Sequence, residues 1–341
     1  MGKFIVKRIA GGILILLVAF TVIFFLSRVI PSDPAQKWVG AHATHEQKEA
    51  AIIELGLDKP ILEQYVNYFK NLLRGNLGIS IVSHRPVSVE LKEAIPNTLE
   101  LVFISVILAF LVGMPIGVYS ANKENTIFDH TGRVFSVGIL SMPTFVVALF
   151  LQMLFSTRLG LLPLTGQMDT MTKLMSPVES VTGFTMLDSL ITGNWVAFKD
   201  ILMHSILPVL TLMSYPLGLT ARMTRSILLE VLNEDYIRAE RAYGIKERKI
   251  IWIYSIKNVI GTVITVLALS TGYTLVNTFV IESIFSWPGV GNYIGRSVVN
   301  LDYPAIIGVT LFAAIAYVIL NMIADIIIAL DPRVRVVGGE D

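Results

Sequence analysis

The chain has 341 residues, of which 54% are hydrophobic and 16% charged, and a formal net charge of +1. So little charge, with apolar residues gathered in long runs, marks an integral membrane protein and leaves no soluble domain large enough to fold by itself. The charge balance gives no case for nucleic-acid binding, and the lack of cysteine excludes disulfides, thiol catalysis and cysteine metal sites.

Lys3, Lys7 and Arg8 precede an unbroken apolar run over residues 9–26. A cleavable signal peptide is the rival reading, but its apolar core is usually shorter, and Ser27-Arg28-Val29-Ile30-Pro31 makes a poor cleavage site. Residues 1–30 are therefore read as an inside tail and a first transmembrane helix. Residues 31–97 form a polar, extracytoplasmic helical segment. Thr44 with Gln47 predicts a capping box, opening a helix that Gly56 closes. Pro60 starts a second helix with Leu62, Tyr65, Val66 and Phe69 on one face. His42 and His45 lie one helical turn apart; two imidazoles alone make a poor metal site, and a solvated surface pair is the preferred reading.

Residues 98–341 hold five further spans. The second covers residues 98–121 and is expected to break at Pro115. A short inside turn over residues 122–133 leads to the third, residues 134–155, with Pro143 inside it; neighbouring hydroxyls satisfy carbonyls that proline frees. Residues 157–202 are a long extracytoplasmic loop, with a short amphipathic helix expected through Leu187, Leu190 and Ile191. A loop of that length is uncommon without a purpose, and contact with an external protein is the expected one. The fourth span is residues 203–221, with Pro208 and Pro216, and the fifth is residues 259–281. Thr265, Thr271, Thr274 and Asn277 on the fifth offer a polar path for a solute; close packing of small and hydroxylated residues accounts for them equally well. The sixth span, residues 305–330, carries Asp325, an intramembrane acid near its cytoplasmic end. The expected fold is all-α, with six transmembrane helices and both termini cytoplasmic. Fifteen Lys and Arg then fall in inside segments, against four in the two later outside loops.

Residues 222–258, between the fourth and fifth spans, contain eight basic residues. A basic loop of this kind stays in the cytoplasm. Its interior reads as a short helix: Asn233 is placed to cap it, Glu234 and Asp235 sit at the positive end of the dipole, and Glu230, Glu234 and Arg238 are spaced by four. Tyr236, Ala239 and Ala242 share a face with Tyr243 beside them, and Gly244 ends the helix. That face is small and nearly flat, rimmed by Arg238, Glu240 and Arg241. It suits docking to another protein better than catalysis; a solvated loop with no partner is the alternative.

The run from Asp235 to Gly244 (DYIRAERAYG) resembles the EAA loop of binding-protein-dependent ABC importers, in the variant of the oligopeptide/dipeptide permeases. Ala239 and Gly244 agree with the general pattern; Arg238 stands in place of Glu, Glu240 in place of the second Ala, and Lys257 in place of the closing Pro. Further stretches are similar to that family in order: Gly56-Leu57-Asp58-Lys59-Pro60, Arg74-Gly75-Asn76-Leu77-Gly78-Ile79-Ser80, Arg85-Pro86-Val87, Ser141-Met142-Pro143-Thr144-Phe145, Leu161-Leu162-Pro163, Phe285-Ser286-Trp287-Pro288-Gly289, Asp302-Tyr303-Pro304 and Leu330-Asp331-Pro332-Arg333. Residues 169–199 look longer than the family's usual outside loop.

The resemblance implies a type I permease fold in a prokaryotic inner membrane. It implies an assembly with a second, similar permease, two cytoplasmic ATPase subunits and an extracytoplasmic peptide-binding protein. Tyr236, Arg238, Ala239, Glu240, Arg241, Ala242 and Gly244 would then form the coupling helix that docks to an ATPase. No phosphate-binding G-x-x-x-x-G-K-[ST] run occurs, so no cofactor is expected in this chain, and ATP with magnesium is expected on the ATPase subunits. No G-x-S-x-G context occurs either, and an intramembrane enzyme would need paired Asp, Ser–His or a His-Glu-x-x-His element within spans, to which only Asp325 comes close. The cargo expected is peptide, with nickel or another small solute as the alternative; an ATPase-independent channel or receptor is the alternative of another class.

Overall fold

Inside a bilayer every backbone N–H and C=O must be paired within its own segment, so the long apolar runs have helix as their open route. The computed structural model describes residues 2–29, 33–40 and 42–330; the Asp331-Pro332-Arg333 motif and the expected inside tail lie outside them. In order the helices are α1 (Gly2–Val29), α2 (Pro34–Val39), α3 (His45–Glu54), α4 (Ile61–Leu73), α5 (Val87–Asn122), α6 (Ile127–Ser141) and α7 (Thr144–Leu151). A π-helical stretch, Gln152–Arg158, continues α7. Then come α8 (Thr170–Met175), α9 (Thr185–Ile191), α10 (Trp195–Leu232), α11 (Asp235–Ala242) and α12 (Glu247–Lys249). A second π-helical stretch, Ile250–Ser255, leads into α13 (Ile256–Phe285), followed by α14 (Val290–Asn300) and α15 (Tyr303–Leu330). Among the described residues there is no strand, only an isolated bridge between Ile79 and Pro86.

Five helices are long and apolar enough to cross a membrane, and a bent pair makes six when counted as one span. The bent pair is the predicted third span: α6 meets α7 with its π-helical continuation at 105° across Met142-Pro143. Proline lacks the donor and biases the residue before it away from helix, which ends α6 there. The expected break at Pro115 does not occur, and α5 runs through it from Val87. Pro208 and Pro216 likewise lie inside α10, where the Thr211 and Ser214 hydroxyls donate to the Leu207 and Thr211 carbonyls.

The chain divides into two units, residues 1–98 with 287–318, and residues 99–286 with the remainder. In the first, Phe20 and Phe24 of α1 and Ile307 and Leu311 of α15 form a buried cluster that receives Tyr65, Tyr68, Phe69 and Leu72 of α4. The i, i+3, i+4, i+7 face of α4 is therefore one step round from the expected one: Leu62 and Val66 stay exposed, because it is the aromatic edge that meets Phe20 and Phe24. The Thr44–Gln47 capping box forms, and Gly56 follows the end of its helix at φ +65°. His45 pairs with Glu49 at 3.3 Å. Two of the quoted motifs meet in space. The buried Asp302 carboxylate accepts from Ser80 Oγ at 2.5 Å and the Ile81 amide at 3.1 Å, and also from the Ala305 amide in the first turn of α15. Trp287 is fully buried and donates through Nε1 to the Asn97 carbonyl, while the Val290 amide donates to Thr98 Oγ1.

In the second unit, α5 and α10 approach closely at Gly113 and Gly117. A Cβ on Gly117 would stand 2.5 Å from the Ala221 carbonyl oxygen. The short helix expected near Leu187 exists as α9, but Leu187, Leu190 and Ile191 are exposed and its buried residues are Asp188 and Ser189. Polar contacts hold it instead of an apolar face. Glu100, buried on α5, accepts from the Met186 and Leu187 amides in its first turn. Asp188 accepts from the Thr182 hydroxyl and the Val181, Thr182 and Gly183 amides. Burial alone would push the Asp188 carboxyl up; those four donors outweigh it and hold it below its ordinary value. At the foot of the same loop, His204 Nδ1 lies 3.1 Å from Asp200 and Nε2 lies 3.8 Å from Asp169.

Candidate functional site

α10 does not stop at the end of its apolar run. It continues to Leu232, a rod of 38 residues and so about 57 Å long. Asn233 caps the C-terminus of this rod, with its Nδ2 donating to the Leu229 carbonyl at 2.9 Å. The cap expected from Asn233 at the start of the next helix is thus corrected: Glu234 takes that position, with no side-chain cap bond. The helix break also separates Glu230 from Arg238, which pairs instead with Asp235 at 3.3 Å.

α11 ends where expected. Gly244 adopts φ +74°, its N–H donates to the Arg241 carbonyl, and the Ile245 N–H donates to the Glu240 carbonyl. This is a Schellman closure, and a Cβ at that φ would be strained.

Three attachments fix α11 against the ends of its neighbours. Ile237, the one strongly apolar side chain of the helix, is fully buried. Arg241 donates through Nε to Glu247 Oε1 at 2.6 Å and through Nη1 to the Leu232 carbonyl, joining the end of α10 to the start of α12. The Tyr236 hydroxyl accepts from Asn258 Nδ2 at 2.5 Å, which ties α11 to the beginning of α13. The ends of α10 and α13 share a buried cluster of Val118, Ala121, Leu228, Ile251, Val259 and Val263. α11 is thus tied by side-chain hydrogen bonds to the end of α10 and the start of α13.

With Ile237 turned inward, the opposite face is free. Ala239, Ala242 and Gly244 are exposed, Tyr243 is 86% exposed, and Arg238 stands at the rim. Glu240 is half-buried, and one of its carboxylate oxygens has no hydrogen-bond partner among the described residues. Such an oxygen calls for a donor. Among the described residues this surface holds no nucleophile beside a base. Ile237, Glu247 and Asn258 were not picked out from sequence; Ile237 was legible as the lone large aliphatic in a polar stretch, whereas the two polar clamps depend on where the chain turns.

The four pathway candidates lie on α13. Thr271 and Thr274 are buried, and their hydroxyls donate to the Leu267 and Ser270 carbonyls of their own helix. Thr265 and Asn277 are half-buried, and Asn277 Oδ1 accepts from Thr144 Oγ1 at 3.1 Å, beside the α6–α7 bend. The four are thus not gathered into one open polar surface within this chain.

Residues 113–336 match the family described as the binding-protein-dependent transport system inner membrane component, and residues 1–102 match that family's N-terminal membrane component. The chain is 38% identical over 335 residues, 98% of each chain, to the probable D,D-dipeptide transport system permease protein DdpB of Escherichia coli strain K12. It is 38% identical over 92% of each chain to the di/tripeptide transport system permease protein DppB of Pseudomonas aeruginosa strain UCBPP-PA14. Identity to the dipeptide transport system permease protein DppB of E. coli K12 is 36%, over 98% of this chain and 99% of that one.

Proposed function

The chain belongs to the family of binding-protein-dependent transport system inner membrane components, and from that premise we propose that it is one permease subunit of an ATP-driven peptide importer. Its cargo would be short peptides, as the names of its relatives state for those proteins. It would line the path together with a second, similar permease, receive peptide from an extracytoplasmic binding protein, and leave ATP and magnesium to two cytoplasmic ATPase subunits. In this reading both termini face the cytoplasm and α11 sits at the cytoplasmic ends of α10 and α13.

One observation carries the reading: α11 presents an exposed, nearly flat face while its other side is clamped to the two helices it joins. A ligand shifts a conformational equilibrium only by its difference in affinity for the two states. ATP bound to the motor subunits supplies that difference, and α11 carries it into α10 and α13 as a rigid-body displacement. Peptides share a backbone and differ in side chains, so a general importer holds backbone and termini and keeps its path undiscriminating.

The test is Ala242→Trp in the reconstituted assembly. Ala242 is exposed, so the indole leaves the fold of the subunit unchanged and obstructs only what docks there. Membrane insertion should be normal, while peptide uptake per ATP hydrolysed falls at least about tenfold, as expected if a docking contact worth roughly 1.4 kcal/mol or more is lost and hydrolysis no longer drives the spans. Unaltered uptake would refute the docking face.

A further inference from the structure

We propose that the cleft between α5, α6 and α10 binds the phosphate headgroup of an anionic phospholipid. The cleft encloses about 200 Å³, and the residues that line it include Arg133, Arg222 and Arg225, with Ser136 and Ser226. One carboxylate answers the three cations. Asp129 is fully buried; it takes Arg225 in a two-point pair (2.5 Å to Nε and 2.8 Å to Nη2) and also accepts from Ser120 Oγ and the Asn125 amide. Arg133, one turn along α6, forms a longer ion pair with the same carboxylate at 3.7 Å. Arg222 forms no ion pair among the described residues. Glu124, exposed on the turn before α6, contributes only a solvent-screened charge. Arg133 also meets His130 Nδ1 at 2.5 Å, and both Arg133 and Arg222 are exposed, so by count three guanidinium charges face the single buried carboxylate.

The position decides what kind of anion answers them. Ser120 and Arg133 lie within two turns of the facing ends of α5 and α6, the level at which a span leaves the hydrocarbon, and basic pockets between helices at that level take anionic headgroups. Next to the cleft, α6 exposes Val134, Phe135 and Val137, an apolar strip without a polar group. A lipid satisfies both halves, its phosphate among the guanidiniums and its acyl chain along α6. A free phosphate would use only the first half. The surplus of two cations also disfavours a headgroup that carries its own ammonium, so phosphatidylglycerol is preferred over phosphatidylcholine. The assignment does not depend on which solute the assembly transports.

The test uses the purified assembly in detergent and native mass spectrometry, with phosphatidylglycerol and phosphatidylcholine as probes. The variants are Arg222→Gln and Arg133→Gln; Arg225 is left intact because it neutralises Asp129. Phosphatidylglycerol should be retained over phosphatidylcholine, each variant should weaken that retention about fivefold, and millimolar inorganic phosphate should not displace the lipid. Equal retention of the two lipids, or retention unchanged in both variants, overturns the proposal. Displacement by inorganic phosphate assigns the cleft to a soluble anion and overturns the lipid. Should Arg222→Gln fail to assemble, Arg133→Gln carries the same comparison.

Discussion

Replacing Gly117 by alanine adds one methyl group where α5 and α10 touch. That methyl would lie 2.5 Å from the Ala221 carbonyl oxygen, 2.6 Å from Thr224 Cβ and 3.1 Å from the Arg225 amide nitrogen. Two of these atoms are backbone and the third is a β-carbon, so no rotamer change relieves them. Ordinary contact begins near 3.4 Å, and the helices must separate by about 0.9 Å at this level, forfeiting dispersion along the seam. Overpacking of this kind costs about 1–3 kcal/mol, against a gain of up to about 1 kcal/mol from replacing glycine inside a helix. Gly138 supplies the control: it too lies inside a helix, and its added Cβ meets nothing within 4 Å. The assay is the fraction of folded, monodisperse protein after graded heating in detergent. Gly138→Ala should match or exceed the parent, while Gly117→Ala should lose about five- to thirtyfold in its folded-to-unfolded ratio for a net 1–2 kcal/mol. Equal stability of the two variants would show that the α5–α10 contact is not as tight as drawn, and with it the mechanical link from α10 to the rest of its unit.

Asp188 gives a pH prediction. Its carboxyl is held below the unfolded value of about 3.9, so its contribution is present above about pH 4 and is lost as the pH falls through the lower folded value. Asp188→Asn should raise hydrogen exchange across residues 178–192 at pH 7 and abolish the further acid-induced rise expected of the parent below pH 4; an unchanged profile would count against the carboxylate as the organiser of the loop. Asp302→Ala should leave the Ser80 hydroxyl and the Ile81 amide as buried donors without acceptors, at about 1–3 kcal/mol each. The check is a fall in folded yield that Asp302→Asn, which keeps one acceptor oxygen, partly restores.

Much of this arrangement was readable from residue order. Long apolar runs gave the spans, because a bilayer leaves the backbone few other choices. Thr44 with Gln47, and Gly244 after Tyr243, announced local geometry that needs no tertiary partner. Expectations failed where a long-range contact set the outcome. The buried face of α4 is chosen by Phe20 and Phe24, more than forty residues earlier. Asn233 was equally suited to end one helix or begin the next, and the reach of α10 to Leu232 decided it. Pro115 and Pro143 carry the same local penalty, yet α5 continues through the first while the chain bends by 105° at the second. The apolar residues of α9 were visible in the sequence, but its actual supports, Glu100 and Asp188, act across 86 residues of chain in one case and through a tight polar loop in the other. The exposed face of α11 was legible; the clamps behind it were not, since Arg241 to Glu247 and Tyr236 to Asn258 exist only once the chain has turned back.

In the proposed importer α11 is the cytoplasmic seat of a motor subunit. Because the chain contains no cysteine, Ala239→Cys creates its sole thiol, on the exposed face of the helix. Labelling with a membrane-impermeant maleimide should succeed from the cytoplasmic side of inverted vesicles stripped of the ATPase subunits, and be blocked when those subunits are restored. Labelling from the external side of sealed cells, or equal labelling with and without the ATPases, would contradict the account.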